Sequence, residues 1–179
     1  ILAAIAVPNF LNAQVRAKIA RAHADQRSFA EALEMYFLDN NGYPWTDTLP
    51  TGANPLEKRW LPLTTPVAYI SGVPDDPFGD KDTRDGLSWV EQTNGTWKYR
   101  TYDLWCAKPG MGHWGWLSQA IETLDLPTSV RYYYASQGPD GKPEADFGSM
   151  VGTPYEATNG LNSRGDIFCA GPGMIKLQQ

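Results

Sequence analysis

Hydrophobic and polar positions divide this chain into one long segment of helical period and a second part of short apolar runs separated by turns. The first segment opens with Ile1-Leu2-Ala3-Ala4-Ile5-Ala6-Val7, wholly apolar and broken by Pro8. Val15, Ile19, Ala22, Phe29, Leu33 and Phe37 then recur at steps of three, four or seven. That spacing lays one apolar stripe along a helix, with Arg16, Lys18, Arg21, Arg27, Glu31 and Glu34 on its other faces. Residues 1–40 as helix extend roughly 60 Å, more than a small domain covers. One reading is a helix whose second half packs on a globular head while its first half projects. A helix buried wholly in the protein's own core fits the same periodicity. Pro8 removes one helical hydrogen bond and crowds the Ala4 carbonyl, so kinked or non-helical backbone is expected there, with regular helix resuming by about Gln14.

Asp39-Asn40-Asn41-Gly42 should end the helix, because Asn and Gly accept the left-handed cap conformation and Pro44 forbids continuation. Residues 43–66 turn to Pro, Thr, Gly and Trp, with at most a short helical turn around Pro55 to Trp60. Strands are expected at 97–102, where aromatic and polar residues alternate after the hairpin pair Asn94-Gly95, and at 130–135 and 165–169. Residues 117–124 have helical period and are closed by Pro127. The fold class is therefore α+β, a long N-terminal helix laid against a small antiparallel sheet.

Composition adds two limits. At 179 residues the chain suits one core rather than two. A net charge of −5 argues against a nucleic-acid surface, which needs clustered Lys and Arg.

The order of motifs over the first quarter is specific. The apolar run, Val7-Pro8-Asn9-Phe10, the basic Arg16/Lys18/Arg21 stretch and Asp39-Asn40-Asn41-Gly42-Tyr43-Pro44 closely resemble the N-terminal helix of type IV pilins and type II secretion pseudopilins. Asp-Pro-Phe-Gly at 76–79 resembles the Asp-Pro-Trp-Gly turn of major pseudopilins. Family members begin with a leader cut by a prepilin peptidase and further apolar residues, so the resemblance implies that this sequence is truncated at its N-terminus. It also implies a structural subunit of an extracytoplasmic filament, with residues 1–28 projecting and 29–179 forming the head. Ile1, Leu2, Ile5, Val7, Pro8, Phe10, Leu11, Val15 and Ile19 would form the filament core. Its partners would be copies of itself, the inner membrane before assembly, and the assembly machinery.

The resemblance extends to one loop. Gly138-Pro139-Asp140-Gly141 and the acids after it resemble a calcium-binding loop of major pseudopilins. Asp140, Glu144 and Asp146 are the carboxylate candidates, since calcium takes six to eight oxygens. The family's adjacent aspartates are reduced here to Glu144-Ala145-Asp146, and a plain turn in which Asp140 bonds its own backbone explains the loop nearly as well. An extracytoplasmic protein would also oxidise Cys106 and Cys169 to a disulfide, adding about 4 kcal/mol by closing a loop of roughly 60 residues. Two buried thiols are the alternative.

Catalytic patterns are absent from the sequence. His23 and His113 lie far apart, and no nucleophile elbow, phosphate loop or zinc-protease motif occurs. The 75–86 loop is acidic but does not fit an EF-hand spacing. Trp105, Trp114 and Trp116 offer the alternative function, a soluble binding module for glycans or aromatic ligands, or else simply cover the sheet.

Overall fold

The computed structural model describes residues 2–46, 56–81, 100–107, 115–141, 153–159, 161 and 163–177. Helix α1 runs Leu2–Asn40 and includes Pro8 without a break. The expected non-helical stretch around Pro8 is therefore corrected. Proline deletes its own donor and crowds one carbonyl, but one lost bond among those of a 39-residue helix does not end it. The helix stops as its last residues dictate. Asn41 takes φ +52, and its N–H donates to the Phe37 carbonyl at 2.8 Å, a left-handed cap.

Among the described residues four short strands follow, β1 (Asp103–Cys106), β2 (Tyr132–Ser136), β3 (Ile167–Gly171) and β4 (Ile175–Leu177), antiparallel in the order β1-β2-β3-β4. The register pairs Leu104 with Tyr134 and Tyr134 with Cys169. Helix α2 (Gly115–Thr123) joins β1 to β2 and ends where Asp125 turns left-handed, φ +50, just ahead of Pro127. Among the described residues the first strand begins at Asp103; of the stretch 97–102, where a strand is expected, 97–99 lie outside them and Thr101 makes an isolated antiparallel bridge with Asp75. The Asn94-Gly95 hairpin pair also lies outside them.

Both faces of the sheet are covered. On one face Ala22, Phe29 and Leu33 of α1 meet Leu104, Tyr132, Tyr134 and Cys169, with Trp60 and Leu63 completing the cluster. On the other, Leu117 and Ala120 of α2 meet Trp105, Tyr133, Phe168 and Ala170. The strands thus sort their side chains by period two, one set to each helix. That is why Tyr132–Ser136 and Ile167–Gly171 are buried at every position.

Helix α1 is docked by polar contacts as well as by its apolar stripe. Phe29 lies 4.6 Å from the Trp60 ring and 4.9 Å from the Tyr102 ring. Buried Gln26 donates to the Ile167 carbonyl at 2.8 Å, while the Tyr134 hydroxyl donates to the Gln26 carbonyl at 2.6 Å. Among the described residues apolar contact with the head begins at Ile19 and Ala22, earlier on the helix than residue 29.

Candidate assembly surface

Beyond that contact the helix stands clear of its own head. Ala6 to Gln14 are exposed, and Val7, Phe10 and Leu11 are 56%, 62% and 53% accessible. Pro8 is exposed, Val15 is half-buried, and Ile19 packs against the head's own core. Of the other expected core positions, Leu2 and Ile5 are on α1, and Ile1 lies outside the described residues. Apolar side chains held in water on a rigid helix have no structural purpose within this chain, which marks them as an interaction surface. Among the described residues no helix is long and apolar enough to cross a membrane.

Charge is segregated along the same helix. Arg16, Lys18 and Arg21 lie in its first half without an acid, while Asp25, Glu31, Glu34 and Asp39 lie in the second half with Arg27 alone. Beside the second half runs an open groove of about 630 Å³, walled by Arg21, Asp25, Glu31 and Met35 on one side and residues 69–75 on the other. Arg21 is 3.6 Å from Asp25, and Arg100 pairs with Asp75 at 2.9 Å. Lys18 lies 5.4 Å over the Phe78 ring, held toward its own head.

The loop after β2 is set by Gly138, φ +70, where an added Cβ would strike the Gly165 carbonyl oxygen at 2.0 Å. Asp140 sits on this turn, partly buried. Glu144 and Asp146 lie outside the described residues, and among the described residues no group of three His, Cys, Asp or Glu could hold a metal ion.

The carboxylate that reading the sequence missed is Asp76. It is buried and accepts from Phe78 N at 2.9 Å, Ser136 Oγ at 2.8 Å and Gln137 N at 2.8 Å. Burial raises its pKa to about 6, against the opposing pull of those three donors. Asp76 thereby ties the Asp-Pro-Phe-Gly turn to the start of the loop carrying Asp140. The turn itself was legible; the partners 60 residues away were not.

The disulfide is a correction. Cys106 and Cys169 are free, buried thiols. Cys106 pairs with Tyr132 and Cys169 with Tyr134, so β2 lies between them. Two strand spacings and two residues along the strand separate them by about 10 Å and about 7 Å, whereas a disulfide needs Cα atoms within roughly 7 Å. Burial pushes both thiols up in pKa.

Trp105 is buried too. Its indole donates to Asp103 at 2.9 Å, and the Arg59 guanidinium lies 3.8 Å over its ring, so it covers the sheet rather than presenting a ligand platform. Trp114 lies outside the described residues, and Trp116 is on α2. His23 is on α1 with Nδ1 3.3 Å from Gln26 Oε1, its pKa lowered by burial; His113 lies outside the described residues.

A long N-terminal helix, half docked on a four-stranded antiparallel sheet and half projecting with apolar side chains, is the arrangement of a pilin-like protein. Residues 9–83, less than half of the chain, match the family model described as type II secretion system (T2SS), protein G. The chain is 38% identical over 87 residues to type II secretion system core protein G of Pseudomonas aeruginosa, covering 45% of this chain and 58% of that protein. Identity to the Vibrio cholerae protein of the same name is 37% over 87 residues, 45% of this chain and 56% of the relative. For Escherichia coli the figures are 33% over 87 residues, 45% and 57%. The chain thus spans a little over half the length of the curated relatives it matches. No solved structure matches it. The family match stops at residue 83, ahead of every strand of the sheet, so the helix and turn are the shared part.

Proposed function

We propose that this chain is a structural subunit of an extracytoplasmic helical filament, of the pseudopilus kind that its relatives' type II secretion name suggests, and not an enzyme. The observation that carries the reading is the exposure of Val7, Phe10 and Leu11 on a helix that continues without a break into the head. Packing those helices together removes apolar surface from water without requiring directional partners. Before assembly the apolar start of α1 would rest in the inner membrane, and the assembly machinery would draw it from there. Ala13, Ala17, Ala20 and Ala24, all exposed on the side of the helix away from the head, support helix packing, since small residues let a second backbone approach.

In the filament the head would pave the exterior. Calcium on the loop after β2 is part of the same proposal: Asp140, Glu144 and Asp146 would hold it, with loop carbonyls supplying further hard oxygen donors. Its check is the melting temperature of the head, which rises on adding calcium and falls back with chelator, while Asp140→Ala abolishes the response.

The filament reading is tested in cells that make the protein together with a type II secretion apparatus. Sheared surface fractions should contain thin filaments that label with antibody to this chain. Protein found only as monomer, with an intact apparatus present, overturns the reading.

A further inference from the structure

We propose that two copies of this chain pack their α1 helices in parallel with an offset of about fifteen residues, so that Arg16 of one copy enters the groove of the other and faces its Glu31. The inference rests on the filament reading and specifies its contact. At about 1.5 Å per residue the offset is roughly 22 Å along the axis.

The argument begins with charge placement. With parallel helices in register, the basic stretch Arg16 to Arg21 of one copy lies beside the same stretch of the other, and the acids beside acids. Like charges at close approach disfavour that alignment. Sliding one helix forward sets the basic half of the first against the acidic half of the second, which fixes the register that apolar packing leaves open.

The groove supplies the receiving side. Most of the charges near it are engaged within the chain: Arg21 with Asp25, Asp25 with the Tyr102 hydroxyl, Asp75 with Arg100. Glu31 lines the groove, is exposed, and makes no hydrogen bond or ion pair among the described residues. Arg27, one turn earlier on the helix, shares its neighbourhood without approaching within ion-pair distance. Arg16 is likewise exposed and without an ion pair among the described residues, whereas Lys18 is turned to Phe78 and Arg21 to Asp25. Within the basic stretch Arg16 is therefore the available cation, and in the groove Glu31 is the available anion. Met35, Ile70 and Val73 give the groove an apolar stretch beyond Glu31 against which the forward helix rests. An antiparallel pair would also match opposite charges, but its two-fold symmetry closes it as a dimer and does not extend into a filament.

The test is site-directed crosslinking in cells assembling the full chain, alongside microscopy of the filaments. The variant Arg16→Cys/Glu31→Cys is expected to give a ladder of covalent multimers with a short bifunctional maleimide, and Arg16→Cys/Asp39→Cys none. Arg16→Glu and Glu31→Arg should each reduce filament yield severalfold, with recovery in the double variant. Filaments without the Arg16–Glu31 ladder overturn this inference and leave the filament reading standing. A ladder from Arg16–Asp39 instead assigns a different offset, and covalent dimers without higher multimers assign an antiparallel pair; either overturns it. Monomer from the unaltered chain defeats the filament reading itself.

Discussion

The Tyr132 hydroxyl donates to the Glu34 carboxylate at 3.0 Å, joining β2 to α1 across 98 residues of chain. It reaches that far because Gly171, its partner in the register, has no side chain: a Cβ there would lie 2.2 Å from the Tyr132 ring. Tyr43, from the turn just after the helix, donates to the same carboxylate at 3.1 Å. Nine residues earlier Asp25 accepts the Tyr102 hydroxyl at 2.8 Å. At about 100° per residue, Asp25 and Glu34 lie about half a turn apart and flank the buried stripe. Apolar packing holds α1 to the sheet; these tyrosine–carboxylate pairs fix where along the helix the head sits.

Tyr132→Phe should therefore lower stability by about 1.5–3 kcal/mol, the loss of a hydrogen bond to a charged group. Gly171→Ala should do likewise by pushing the Tyr132 ring from Glu34. The two changes share one contact, so urea denaturation of the double variant should show less than the sum of the single effects.

Phe29 is the centre of the helix–sheet contact, with Trp60, Tyr102 and Tyr134 around it. Phe29→Ala should cost about 3–5 kcal/mol, read as a shift of the denaturation midpoint with unchanged slope. An exposed apolar residue on the projecting half, Phe10→Ala, should leave that midpoint where it was.

The cysteines should both alkylate in denaturant without reductant, and neither should do so in the native protein at neutral pH. Burial, which also suppresses the thiolate, explains the second result. Intact mass distinguishes the cases directly. A chain that takes no label until reduced would contradict the sheet order that separates Cys106 from Cys169.

Asp76 gives a pH dependence of definite sign. Its folded-state pKa, about 6, lies above the ordinary value of 3.8, so the native state favours the protonated form. Its stabilising effect is full below about pH 4 and is lost as pH rises through about 6, an amount of roughly 3 kcal/mol. Asp76→Asn should flatten stability across that interval, and the carboxyl carbon should titrate near pH 6 by NMR.

How much of this was legible depends on what each element is buried against. Helix α1 could be read because one face is apolar and the others are charged, and its cap because Asn41 accepts a left-handed turn. Its continuity through Pro8 could not be read, since the lost bond had to be weighed against the whole helix. Strands β2 and β3 showed as apolar runs without alternation, because α1 and α2 bury both of their faces. Strands β1 and β4 were not read from the sequence; four and three residues are too short to show a period. The pairing of the cysteines needed the strand order, which no spacing in the sequence carries. Asp76 announced a turn through Pro77 and Gly79, but its partners Ser136 and Gln137 belong to a remote strand end. The exposed apolar positions Val7, Phe10 and Leu11 stood out from the beginning, and the structure leaves them in solvent.

Removing residues 1–10 is the most direct measurement of what those side chains are for. Assembly and head stability are scored in parallel, by filament yield from cells and by thermal melting of the purified chain. The account predicts a head that melts as before, because among the described residues its contact with α1 begins at Lys18 and Ile19, past the removed segment, together with complete loss of filaments. Filaments at normal yield from the shortened chain would contradict it.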